Sequence, residues 1–291
     1  MPAINKIILG TVQFGLNYGI NNTSGKPDQQ NVNAILSAAY GAGVQCLDTA
    51  EAYGDAHVKI GNFHKENPEK IFNVITKLPH HIDESFDHKI EKYLQELHIV
   101  QIEALLFHSY QTYLDNKSAM TLLNGYKQAG KVKQIGVSVY TNEQMEEVIK
   151  DDFVDVIQFP FNVFDNLRLR GNVITKAKAQ NKKLHTRSTF LQGLFFSLLQ
   201  KENRIVQALK KELQYISQLS DESATSIQKM ALNYCLQQPD IDNVLIGVDN
   251  LDQLNQNLAD ADGSLTADIV DKINSIKIKN IDLLNPSLWN Q

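Results

Sequence analysis

Residues 46–54 read CLDTAEAYG. A short, mostly apolar run from Val44 to Leu47 stops at Asp48, and residues 49–52 are too polar and too small to continue a strand before Tyr53 and Gly54. A buried strand that ends on a carboxylate and passes into a loop carrying a tyrosine is a candidate active-site edge. Its meaning depends on what the rest of the chain supplies beside it.

Outward from this stretch, short apolar runs alternate with longer amphipathic ones in eight cycles. The candidate strands are Ile7–Gly10, Val44–Asp48, Ile71–Lys77, Ala104–His108, Lys133–Ser138, Val154–Phe159, Lys183–Arg187 and Asn243–Gly247. They are β-branched or apolar almost throughout, as expected of strands buried on both faces. Between them, Val32, Ile35, Leu36 and Ala39 follow helical spacing, as do Ile90, Tyr93, Leu94 and Leu97, and Ile227, Met230, Ala231 and Tyr234. Thr141 with Gln144, and Asn250 with Gln253, have the spacing of capping boxes. No linker or composition break divides the chain, so residues 1–291 read as a single domain, a (β/α)8 TIM barrel. A doubly wound dinucleotide-binding sheet would place G-x-G-x-x-G directly after its first strand. The nearest match, Gly41–Ala42–Gly43, follows a helix and precedes a strand, which is the order of a plain turn.

Composition narrows the function. A net charge of −5 gives no basic bias toward nucleic acid or an anionic membrane. The two cysteines, Cys46 and Cys235, form neither a disulfide framework nor a C-x-x-C site. With no signal-like leader and no apolar run of ~18–20 residues, the expected location is the cytoplasm.

In a barrel of this kind the active site forms at the C-terminal ends of the strands. Three consecutive strands end in Asp48, Lys77 and His108, and Tyr53 enters from the loop between the second and third. A tyrosine has an ordinary pKa of about 10. A nearby ammonium favours its phenolate, and a carboxylate keeps that ammonium charged and aimed. Tuned in this way, Tyr53 can protonate a carbonyl oxygen while His108 orients it and a cofactor delivers hydride to the carbon.

At this point the residues resemble the aldo-keto reductase family, from Leu9 to Ala259. LDTAEAYG is similar to the family signature, with Asp48 and Tyr53 in two tetrad positions; Lys77 in TKLP and His108 in LLFHSY occupy the others. The resemblance implies NAD(P)H-dependent reduction of an aldehyde or ketone to an alcohol. It assigns Gly10 and Thr11 to the nicotinamide ribose, and Ser138 and Gln158 to the carboxamide. Ser188 and Gly193 fall to the pyrophosphate, and Gly247, Gln253 and Asn257 to the adenosine end. Three departures stand out: Val139 replaces a common asparagine, Arg187 replaces an aromatic residue that stacks on the nicotinamide, and Val248, Asp249 and Asn250 stand where a base usually meets the 2′-phosphate. A planar guanidinium can also stack, so Arg187 is kept as a cofactor residue. NADP(H) is the family default, and Asp249 opens the way to NAD(H). Overall likeness is to bacterial members of cell-surface sugar pathways, which implies a sugar or nucleotide-sugar carbonyl as the small-molecule substrate.

Plainer readings stand beside these. His80 and His81 lack a third ligand at metal-binding spacing, so no metal is expected. His57, His64 and His185 read as surface or turn residues, and Asn162 as a turn residue or a substrate contact. Residues 15–30 are long for such a loop, with Tyr18 a candidate cover for the substrate. The tail from Ile281, with Trp289, either closes over the site or packs outside the barrel. Two rival functions stay open: a Schiff-base enzyme using Lys77, and a nucleotide-sensing protein that acts through a partner.

Overall fold

A computed structural model of the chain describes residues 3–19, 22, 25–197 and 203–289. Eight parallel strands run in sequence order around a closed barrel: β1 (Ile7–Gly10), β2 (Cys46–Asp48), β3 (Asn73–Leu78), β4 (Ala104–Phe107), β5 (Ile135–Ser138), β6 (Val156–Pro160), β7 (Lys183–Arg187) and β8 (Asn243–Gly247). The pairs Leu9↔Leu47 and Leu9↔Ile246 join β1 to both neighbours and close the ring.

Alternation along each strand sorts the apolar residues into two cores. Ile8, Ile75, Ala104, Leu106 and Val156 form one cluster, packed with Cys46 and Leu245. Their strand neighbours Leu9, Leu47, Val74, Leu105, Phe107 and Ile157 belong to the larger core that includes the helices. Both faces of the sheet are therefore covered, and the strands are apolar almost throughout; β7 departs from this, with Lys183, His185 and Arg187 alternating with Leu184 and Thr186.

Bounds of β1, β7 and β8 fall where the sequence places them. β2, β3, β5 and β6 each start two residues later than expected, β2 and β6 for a local reason. Val44 and Val154 are buried, but their amides are already engaged: Val44 donates to Ala39 at 3.0 Å and Val154 to Asp151 at 3.1 Å. Such residues are apolar lead-ins whose hydrogen bonds go back to the preceding helix end or turn. The Thr141 capping box forms in full. The Asn250 one is only half made: Asn250 caps the Gln253 amide, while the Gln253 side chain accepts from Asp249 instead of Asn250.

Three histidines correct the sequence reading, because none is at the surface or in a turn. His57, in the helix Ala56–Glu66, bridges Thr76 Oγ1 at 2.8 Å and Glu96 Oε2 at 3.2 Å. His64 donates from Nδ1 to the Leu97 carbonyl at 2.7 Å and accepts the Phe72 amide on Nε2 at 3.2 Å. His185 lies inside β7, buried, with Nδ1 unpartnered, and burial pushes its pKa down to about 4. An unfolded imidazole takes up its proton near pH 6.5, whereas folded His185 resists protonation until about pH 4. The stability it contributes is therefore complete above pH 6.5 and is lost as pH falls through this window, by about 3 kcal/mol at its lower end. Denaturant midpoints measured between pH 7 and pH 4 should fall for the unaltered protein and fall less for His185→Leu. Parallel curves for the two proteins would rule out this assignment.

Candidate active site

The strand C-termini open into a cavity of about 630 Å³, within the usual size range for small-molecule sites. All the residues assigned from the sequence to catalysis and to the cofactor line it: Asp48, Tyr53, Lys77 and His108 on the β2–β4 side, Ser138 and Gln158 on β5 and β6, and Arg187 at the end of β7 with Ser188 and Gly193 beyond it. Gly247 ends β8, with Gln253 and Asn257 on the helix Leu251–Asp260 after it, and Gly10 ends β1 with Thr11 next in the chain.

Local backbone contacts set the Tyr53 loop. The amide and hydroxyl of Thr11 both donate to the Asp48 carbonyl, at 2.9 and 3.0 Å, and the Glu51 amide donates to the Lys77 carbonyl at 3.2 Å. The Glu51 carboxylate is gripped by buried Lys89 at 3.1 Å and by the Tyr93 hydroxyl, both on the helix Phe86–Leu97. On the other side the loop meets Gly15, where an added Cβ would stand 1.7 Å from the Tyr53 carbonyl oxygen. Only glycine allows this approach, and it fixes how deep Tyr53 sits.

At the centre, the Lys77 ammonium donates to Asp48 Oδ1 and, at 3.0 Å, to the Thr49 carbonyl. Both side chains are almost fully buried. The ammonium stands 5.1 Å from the Tyr53 ring centroid. Burial works against the charge on Lys77, but Asp48 and Tyr53 together outweigh it and hold the amine above its ordinary value. Burial also dominates at Tyr53, pushing the phenol up despite the downward pull of Lys77. The expected downward pull of Lys77 is therefore present, but burial outweighs it and the net shift is upward. The phenol rests protonated, in the form a proton donor needs.

His108 packs edge-on against Tyr53, with ring centroids 5.6 Å apart, and stacks on His80 at 4.7 Å. Burial, reinforced by Lys77, His80 and Arg187, drives its pKa down to about 2. The imidazole is neutral across the working range and keeps one N–H to donate.

Other contacts complete the site, some anticipated in the sequence and some not. Gln158 donates through Nε2 to Asp48 Oδ2 at 2.8 Å, so it holds the carboxylate from the side opposite Lys77. The Arg187 guanidinium lies 4.0 Å from the Tyr140 ring centroid. Asn162 is a turn residue: its Oδ1 accepts the amides of Phe164 and Asp165, and it does not line the cavity. Tyr18 does line it, and its hydroxyl accepts from Gln192 at 2.7 Å across the mouth. The tail packs through buried Leu284 and brings Ser287 to the rim. Gln13 and Gln228, which the sequence reading missed, line the cavity next to Gly247 and Asn257.

Several features fit a dinucleotide. Gln13 Oε1 is buried and unpartnered, and its amide packs so closely on Gly247 that a Cβ there would come within 2.9 Å of it. After β7, Ser188, Leu191, Gln192 and Gly193 all take positive φ, between 45° and 86°. Successive amides in such turns form concavities suited to anions.

A closed parallel barrel with its reactive side chains gathered at the strand ends places the protein among the α/β-barrel enzymes. Within that class the chain belongs to the aldo/keto reductase family, whose sequence model matches residues 6–278. Members are oxidoreductases that generally use NAD(P)H on small-molecule carbonyl substrates. Among solved structures, the chain is similar to aldo-keto reductase AKR11C1 from Bacillus halodurans (holo form), with TM-score 0.75, 16% identity and 94% of each chain covered. It is also similar to PA4992 from Pseudomonas aeruginosa, a provisionally assigned aldo-keto reductase, with TM-score 0.64, 22% identity and 88% of this chain and 89% of that chain covered. Both likenesses concern the fold. No curated protein sequence matches the chain. Among the described residues, no helix is long and apolar enough to cross a membrane.

Proposed function

We propose that the protein reduces an aldehyde or ketone, with a sugar carbonyl as the favoured class, and that Tyr53 is the proton donor. The observation that carries this reading is the gathering of a protonated phenol, a neutral imidazole and a paired Lys77–Asp48 around one cavity. A bound reduced nicotinamide supplies the hydride. His108 donates its N–H to the carbonyl oxygen and fixes its position. As the carbon is reduced, the oxygen gains basicity and takes the Tyr53 proton, and the Lys77 ammonium stabilises the phenolate left behind. Asp48, held by Gln158 and Thr11, keeps Lys77 charged. A charged amine is not a nucleophile, which counts against the Schiff-base alternative.

For the nucleotide, Ser138 and the free Oε1 of Gln158 suit the carboxamide, with Arg187 beside the ring and Gly10 and Thr11 near its ribose. The turn with Ser188 and Gly193 suits the pyrophosphate, and Gly247, Gln253 and Asn257 the adenosine. The described cavity lining carries no lysine or arginine beyond Lys77 and Arg187, and Asp249 stands beside Gln253. This charge pattern favours NADH over NADPH, whose 2′-phosphate would meet a carboxylate. In fluorescence titrations NADH should bind at micromolar concentration and NADPH more weakly, and Asp249→Arg should narrow or reverse the order. Tighter NADPH binding by the unaltered protein would refute the role of Asp249. No binding of either would refute the nucleotide site itself.

A further inference from the structure

Resting on that reading, we propose that the Arg187 guanidinium makes the cavity distinguish the two redox forms of the nicotinamide nucleotide, holding the reduced form more tightly than the oxidised one. Arg187 ends β7 and lines the cavity with Tyr53 and His108. Its hydrogen bonds go to neutral acceptors, the Val139 carbonyl at 3.3 Å and Ser188 Oγ at 3.4 Å, and Tyr140 covers its guanidinium at 4.0 Å. The contrast with Arg170 is direct, since that guanidinium is clasped by both oxygens of Asp165. Among the described residues no carboxylate pairs with Arg187.

The other charges at the reacting end cancel or are absent. Lys77 is neutralised by Asp48, and His108 is neutral. Asp249 keeps its charge but stands beside Gln253, at the end of the cavity assigned to the adenosine and not at the reacting end. Arg187 therefore leaves an uncompensated positive charge, and that charge reaches the reacting centre, since it helps to depress His108 and pulls on Tyr53.

A hydride can pass only if its donor ring lies against the carbonyl carbon whose oxygen meets Tyr53 and His108. The ring is thus within the field of Arg187 wherever it lies in detail. Oxidised nicotinamide carries a positive charge and reduced nicotinamide carries none, so the guanidinium repels one form and is indifferent or attractive to the other. At protein-interior separations this is enough for a preference of about tenfold or more in dissociation constant. The same charge opposes departure of hydride from the bound nucleotide. Arg187 therefore serves loading of the reduced form and release of the oxidised form, not the chemical step. That assists a reductase working where the oxidised nucleotide is in excess.

A purely structural role for Arg187, bracing Tyr140 and Val139, would weaken both redox forms alike. Isothermal titration calorimetry of the unaltered protein, Arg187→Gln and Arg187→Lys with NADH, NAD⁺, NADPH and NADP⁺ separates the two. The ratio of oxidised to reduced dissociation constants should fall by about tenfold in Arg187→Gln and persist in Arg187→Lys. An unchanged ratio in Arg187→Gln overturns the proposal, including the case where that variant loses turnover only on anionic carbonyl compounds and Arg187 proves to hold substrate. If the unaltered protein binds none of the four nucleotides, the reductase reading falls first and the proposal with it.

Discussion

Tyr53→Phe should bind NADH as the unaltered protein does and lose carbonyl reduction by roughly 10²–10⁴-fold. The expectation comes from elimination at the cavity floor. A carbonyl receiving hydride needs a proton at its oxygen, and three groups stand near that position. His108 is a neutral imidazole, its pKa pressed down to about 2, and a neutral imidazole is a poor acid. Lys77 is charged, but its protons are directed to Asp48, to the Thr49 carbonyl and to Tyr53 itself. Tyr53 alone offers a protonated group whose conjugate base has a cation beside it, the ammonium 5.1 Å from its ring. Burial raises the phenol while Lys77 lowers it, so the proton stays on at rest and can leave once a basic oxygen appears. Phenylalanine keeps the ring that packs on His108 and removes only the hydroxyl. Single-turnover oxidation of bound NADH, followed by loss of its absorbance, reads the chemistry separately from binding. A variant that turns over at the normal rate would remove Tyr53 from the mechanism.

The sequence exposed the rim of this site more readily than its wiring. Asp48, Lys77 and His108 are legible because parallel strands in a barrel present their ends on one side, so strand order alone brings them together. The same logic carries Ser138, Gln158, Arg187 and Gly247, each at the end of a strand or close to it. What escapes is pairing across long separations. Gln158 and Asp48 are 110 residues apart, and Gln192 and Tyr18 are 174 apart, with no local pattern to link them. Burial of His57, His64 and His185 escapes for a related reason: a histidine in a polar stretch looks exposed until packing supplies Thr76, Leu97 or the barrel wall around it. Net pKa direction is the third gap. Spacing revealed that Lys77 would pull on Tyr53, but the opposing weight of burial depends on depth, which Gly15 and Glu51 set through contacts outside the motif's own strand.

Asp48→Ala should destabilise the fold by about 3–5 kcal/mol as well as abolish turnover, the size expected when one member of a buried ion pair is removed. The carboxylate has two partners, the Lys77 ammonium and Gln158 Nε2. Without it, Lys77 keeps only neutral partners, the Thr49 carbonyl and the Tyr53 hydroxyl, at a depth where its side chain is 2% exposed. The ammonium must then either remain charged and unpaired or give up its proton, and both are costly. This cost belongs to the orphaned charge more than to the lost atoms, so it should be recoverable. The double variant Asp48→Ala/Lys77→Met removes the charge with its partner, and denaturant midpoints should show it regaining much of the stability lost by Asp48→Ala alone. Turnover should not return, because the cation that stabilises the Tyr53 phenolate has gone. If the double variant is as unstable as the single one, the loss comes from packing or from Gln158, and the Lys77–Asp48 pair is not the electrostatic keystone of the site. Recovery of stability without recovery of turnover would show instead that the pair is kept for what it does to Tyr53, at no advantage to the fold over an apolar replacement.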